Sequence, residues 1–200
     1  MAGLVLAAGA GRRLGSPKAL VRDPAGIPWV VRAARLLTAA GCSPVLVVVG
    51  AAADQVRAEL ITEPVEIVEA TDWPEGMSAS LRAGLTALST PSDLGAVVVV
   101  PVDVPGLTED AVARVMRAAG SEALVRATYQ GKPGHPVLIG RAHWNGVIAS
   151  AHGDEGARTY LREHGADTVE CGDIANGTDA DTAEQLPPGH TPPPDPLSGP

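Results

Sequence analysis

The sequence predicts an α/β domain of three layers, α/β/α, with a mostly parallel central sheet. Two observations carry this. Short apolar runs at residues 3–8, 45–49, 65–69 and 96–100 alternate with segments whose apolar residues recur at helical spacing. Runs of that length without a regular polar face fit strands buried on both sides, as parallel strands are. In addition, the first and fourth runs end in residues that carry chemistry, a glycine-rich basic loop and an aspartate among prolines. Open parallel sheets bind ligands beyond the carboxyl ends of their strands, where both features would then lie.

Taken in order, residues 3–8 form the first strand and empty into Gly9-Ala10-Gly11-Arg12-Arg13-Leu14-Gly15-Ser16-Pro17-Lys18. Residues 28–40 place Trp29, Val30, Ala33, Leu36 and Leu37 on one helical face and stop at Gly41. A strand at 45–49, a helix at 51–60 and a strand at 65–69 follow. A helix at 78–89 comes next, with Ser78 or Ser80 placed to cap it. The valine run 96–100 belongs at the sheet centre, and Thr108 caps a helix over 108–118. Residues 124–129 and 135–139 read as a hairpin through a turn at 130–134, and 141–150 as a helix. Asp154 is placed to cap a further helix through Leu161 and Arg162, and 168–171 is a last strand. From Pro187 the chain is proline-rich and aperiodic, so one domain over 1–186 and a disordered or polyproline tail over 187–200 are expected.

Composition narrows the function. Two hundred residues at 45% hydrophobic suffice for one sizeable core. A net charge of −8 and the absence of Phe argue against a nucleic-acid partner. No apolar run is long enough to span a bilayer and the first strand starts at once, so a cytoplasmic location without membrane contact is expected. Cys42 and Cys171 match no metal or redox spacing and read as reduced buried thiols. Positive charge is nevertheless concentrated at Arg12, Arg13, Lys18 and Arg22, and only Lys18 and Lys132 are lysines.

The loop has the chemistry of a phosphate cradle. Its glycines bring bare amides close to a ligand, and three cations stand within a few residues. Gly9, Gly11 and Gly15 miss the dinucleotide fingerprint by one residue, and Lys18 is displaced from a Walker A lysine and lacks its following hydroxyl. Asp103, in Pro101-Val102-Asp103-Val104-Pro105, is a carboxylate fixed at the ligand edge of a central strand. A lone carboxylate beside a triphosphate loop suits Mg²⁺, which takes one or two protein carboxylates together with phosphate oxygens.

Leu6, Ala8, Gly9, Gly11, Arg13, Gly15 and Lys18 together resemble the signature that opens the GT-A-like nucleotidyltransferases, with Arg12 at its variable position. Pro101-Val102-Asp103-Val104-Pro105 and Gly153-Asp154-Glu155-Gly156-Ala157-Arg158 resemble stretches of the MobA-like NTP transferases, nearest to the molybdenum-cofactor cytidylyltransferase branch. The resemblance implies a Rossmann-like fold and transfer of a nucleoside monophosphate to a phosphorylated acceptor such as the molybdopterin cofactor, releasing pyrophosphate with Mg²⁺. It implies nucleotide contacts from Leu6, Ala7, Ala8, Gly9, Gly11, Arg13, Lys18, Gly76, Ser78 and Ser80, with Arg13, Lys18 and Asp103 catalytic. Asp103 with Asp179 or Asp181 would hold the metal, although Asp181 could instead cap a turn with Glu184. His135 would lie on the acceptor side. Ala8, where the GTP-linked form has a second glycine, points to CTP over GTP. The rival readings are a GT-A-type glycosyltransferase, for which Asp103-Val104-Pro105 is the wrong motif, and a non-catalytic nucleotide-binding partner.

Overall fold

The computed structural model describes residues 1–90 and 93–193. Its sheet has seven strands in the order β3-β2-β1-β4-β6-β5-β7. These are β1 (Ala2–Leu6), β2 (Val45–Val49), β3 (Glu66–Glu69), β4 (Ala96–Pro101), β5 (Leu124–Tyr129), β6 (Lys132–Gly140) and β7 (Asp167–Glu170). Only β6 runs against its neighbours; all other pairings are parallel. The helices are α1 (Trp29–Ala39), α2 (Ala53–Glu59), α3 (Met77–Ser89), α4 (Glu109–Met116), α5 (Trp144–Ser150) and α6 (Arg158–Glu163).

Every residue of β1, β2 and β4 is buried, as the apolar runs predicted. Alternate residues feed two separate cores. Val5, Val47, Val98 and Val100 pack with Leu37, Val56, Val112 and Val115 of α1, α2 and α4 on one face. Leu4, Val48, Val97 and Val99 pack with Leu85, Trp144, Val147 and Leu161 of α3, α5 and α6 on the other. That is the predicted three-layer arrangement. After β3 the chain returns to pair β4 on the far side of β1, so the strand order reverses at β1 and a crevice opens beyond β1 and β4. Cys42 and Cys171 are buried and unpaired, and burial pushes the Cys42 thiol up to about 11.

Three local expectations change. The hairpin turn is two residues, Gln130 and Gly131, both at positive φ (53° and 77°), and β6 starts at Lys132. Such a turn follows the twist of its strands, so pairing continues past Pro133 instead of stopping at a long loop. Neither Ser78 nor Ser80 caps α3, because the helix starts one residue earlier, at Met77. Finally, the first half of the proline-rich segment is packed: the Trp29 indole donates to His190 Nδ1 at 2.8 Å, and Thr191 bridges to Arg22. The rest of the expected tail, 194–200, lies outside the described residues.

Candidate active site

β1 and β4 end side by side. Leu6 is in register with Pro101, and the Val102 amide donates to the Leu6 carbonyl at 3.2 Å. One strand end therefore delivers the glycine loop and the other delivers Asp103 to the same point. The loop closes on itself through the Gly15 amide, 2.9 Å from the Gly11 carbonyl. Gly11 has φ 62°, and a Cβ there would lie 1.8 Å from the Ser16 carbonyl oxygen, so no other residue fits this turn.

Lys18 stands at the centre of the site. Its Nζ is 2.8 Å from Asp103 Oδ2 and also donates to Asp181 Oδ1, while Arg13 Nη1 is 2.9 Å from Asp181 Oδ2. Burial, the largest influence on Lys18, would lower its pKa; the attraction of Asp103 and Asp181 outweighs it, and the ammonium titrates above its ordinary value. Asp181 reaches the site because Ala180 is buried against Val21 and Trp29 and donates its amide to the Asp103 carbonyl at 2.9 Å. The local turn is capped by Thr182 and Gln185, not by Asp181 with Glu184, which leaves the Asp181 carboxylate to the cations. Asp179 is exposed and lines separate surface hollows beside Asn176 and Thr178.

Among the described residues no group of three or more His, Cys, Asp or Glu side chains could hold a metal. The pair Asp103 and Asp181 is nevertheless a suitable partial shell. Both carboxylates already converge on one cation, the Lys18 ammonium, and their hard oxygens suit a divalent ion completed by phosphate.

The cleft beside this cluster has a volume of about 300 Å³, at the small end for a ligand pocket. One wall is the loop 9–13 with Lys18 and the other is Trp73, Pro74, Gly76, Met77 and Ser80. Of the residues expected to contact a nucleotide, Leu6, Ala8, Gly9, Gly11, Gly76 and Ser80 line the cleft with Arg13 and Lys18. Ala7 and Ser78 do not: Ala7 packs into the core on the α1 side, and Ser78 is fully buried with its hydroxyl accepting from the Gly156 amide at 3.1 Å. The Ala8 methyl faces Gly50, where an added Cβ would come within 2.7 Å of it.

The second wall is fixed from a distance. Asp154 does not cap its own helix; its carboxylate accepts from the Met77 amide at 3.3 Å, and the Ser78 amide donates to the Gly153 carbonyl at 2.9 Å. Gly76 sits at φ 115°, and a Cβ there would lie 2.3 Å from Asp154 Oδ1. The sequence reading missed Trp73, Met77 and Asp154. Trp73 lies three residues before Gly76, whereas the Asp154 contact spans 77 residues and leaves no local trace.

His135 lies in a smaller recess that shares Leu6, Met77 and Asp154 with the cleft and is also lined by Arg126 and Arg158. It stands on β6, and its carbonyl accepts from the Tyr129 hydroxyl at 2.6 Å. Burial, then the positive charges of Arg126 and Arg158, push the imidazole down to about 4. No helix among the described residues is long and apolar enough to cross a membrane.

Comparison with known proteins finds relatives in sequence and in fold. The family model of the MobA-like NTP transferase domain matches residues 3–169. Nicotine blue oxidoreductase of Paenarthrobacter nicotinovorans is 37% identical over 194 residues, covering 92% of this chain and 93% of that protein. The Rv0371c protein of Mycobacterium tuberculosis H37Rv superposes with a TM-score of 0.78 at 24% identity, covering 92% of this chain and 94% of that one. Its complex with manganese superposes with a TM-score of 0.75 at 23% identity, over 92% and 94% of the two chains. The inositol-1-phosphate CTP transferase of T. maritima shares the fold, with a TM-score of 0.67 at 15% identity over 93% and 91% of the two chains.

Proposed function

The chain belongs to the MobA-like NTP transferase family, a family of nucleotidyltransferases, and on that premise we propose that it transfers CMP from CTP to a phosphorylated acceptor such as the molybdopterin cofactor. The observation that carries this reading is the convergence of Lys18, Asp103 and Asp181 beside the glycine loop, at the mouth of one cleft. An oxygen of the acceptor phosphate attacks the α-phosphorus; the bond to the bridging oxygen breaks, and pyrophosphate leaves with the electron pair. The nucleophile is already ionised, so no general base is needed. Catalysis then reduces to positioning and to neutralising charge.

In this reading the loop amides and Arg13 hold the triphosphate, while Lys18 moves from the carboxylates to the phosphates. Asp103 and Asp181 would hold Mg²⁺, which when bound screens the phosphate oxygens and the leaving group. The manganese complex of the Mycobacterium tuberculosis protein supports a divalent site in this fold. Ala8 at the cleft edge supports CTP over GTP, as does the CTP transferase that shares the fold. Pyrophosphate release tests the reading, with four nucleotides set against phosphorylated acceptors and Mg²⁺. Release that is unaffected by Asp103→Ala and Lys18→Ala would sink it.

A second reading has one observation in its favour, the 37% identity to a protein named as an oxidoreductase. It predicts oxidation or reduction of a coloured compound in place of nucleotide transfer. An absorbance assay with no nucleoside triphosphate present separates the two.

A further inference from the structure

The recess that branches from the cleft holds two guanidinium groups that do not line the cleft itself. Arg126 stands on β5 and donates its Nε to the Gly134 carbonyl at 3.2 Å; Arg158 opens α6. Among the described residues neither is paired with a carboxylate. The two acids in the lining are engaged elsewhere: Glu155 accepts from the Thr159 hydroxyl at 2.6 Å, and Asp154 accepts from the Met77 amide. Burial and the charge of Arg158 together hold Arg126 below its ordinary range. Two like charges facing one recess, one of them half-buried, are an unfavourable arrangement until an anion completes it.

The recess is built to be rigid and small. The loop preceding Arg158 is pinned to α3 by three bonds, from the amides of Met77, Ser78 and Gly156. The volume is about 60 Å³, room for roughly four to six waters at the usual 10–15 Å³ each. That is room for a group of a few heavy atoms, the size of a phosphoryl group. His135, uncharged at neutral pH, adds a hydrogen-bonding ring nitrogen without a charge of its own.

We propose that Arg126, Arg158 and His135 form an anion recess that seats the phosphate monoester of the acceptor beside the nucleotide cleft. A phosphate monoester, with up to two negative charges and three terminal oxygens, can engage both guanidinium forks at once, whereas a carboxylate offers one charge and two oxygens. Naming the anion as the acceptor's rests on the nucleotidyltransferase reading; the recess itself does not.

The test follows the His135 imidazole signals of the full-length protein by NMR, assigned with His135→Gln, while inorganic phosphate or acetate is added. Phosphate should shift them saturably and acetate should not. Arg158→Gln, a change at an exposed residue, should weaken phosphate binding by at least about tenfold, the usual scale for a charge-assisted bond. Arg126→Gln should do the same, with partial recovery in Arg126→Lys. Unchanged phosphate affinity in folded Arg158→Gln, or acetate binding as tight as phosphate, overturns the proposal. Saturable phosphate binding at His135 in a protein that releases no pyrophosphate from any nucleotide would uphold the recess while removing the nucleotidyltransferase reading. Pyrophosphate release whose KM for the acceptor ignores Arg158→Gln would do the reverse.

Discussion

At Lys18 a single ammonium serves carboxylates from two distant parts of the chain. Lys18→Ala and Asp103→Ala should each lower the rate of pyrophosphate release by about 10²-fold or more, the scale on which preorganised charge contributes to catalysis. Asp181→Asn should act in the same direction, while Asp179→Asn, at an exposed position, should leave steady-state rates unchanged. Removing divalent ions with a chelator should abolish turnover of wild type reversibly. The loop glycines, Lys18 and Asp103 could be read from the sequence because their spacing is local. Which of Asp179 and Asp181 stands beside Lys18 could not, because that depends on where Ala180 is buried, against Val21 and Trp29 from the other end of the chain. Ser78 misled for a similar reason: a serine at a helix start reads as polar and accessible, but here its hydroxyl satisfies the Gly156 amide in the interior.

Among the elements, the start of α3 depends most on outside support. Gly76 precedes the helix and brings no capping side chain, and Asp154 supplies the acceptor instead. Asp154→Ala should cost about 0.5–2 kcal/mol in chemical denaturation, the usual range for a lost cap. It should also raise KM for the nucleotide, because Gly76 and Met77 form a wall of the cleft. The hairpin of β5 and β6 has a comparable anchor in Glu170, whose carboxylate accepts from the amides of Gln130, Gly131 and Gly172 and from the Thr128 hydroxyl. Those bonds pull its pKa down from the usual 4.5 to about 2. A carboxylate depressed in the folded state stabilises fully above its unfolded value and loses that stabilisation as pH falls through its folded one. The contribution of Glu170 should therefore vanish between about pH 4.5 and 2. An acid titration of Tm in wild type and Glu170→Gln checks this; the variant should start lower and fall less over that interval. The central strands were legible as apolar runs, whereas the two-residue turn was obscured by Pro133 and Gly134, which resemble loop residues and lie in a strand.

On the scale of the whole molecule, the sheet order reverses at β1, and the chain closes by laying residues 180–193 back over α1 and the loop that follows β1. Composition alone marked residues 187–193 as a tail, because prolines and single aromatic contacts produce no periodicity. What holds them is one indole bond from Trp29 to His190 and a backbone bridge from Thr191 to Arg22. Ending the chain at Leu186 should lower Tm by several degrees and weaken nucleotide binding, since Asp181 would lose the support behind it. The tie through Lys18 also has a thermodynamic consequence. A triphosphate that draws the ammonium away competes with Asp103 and Asp181, and a cation seated between those carboxylates relieves the competition. Metal and nucleotide should therefore bind with positive coupling, and by linkage the factor is the same in both directions. Manganese affinities measured with and without CTP, in wild type and in Lys18→Ala, should show that factor shrinking when the ammonium is gone.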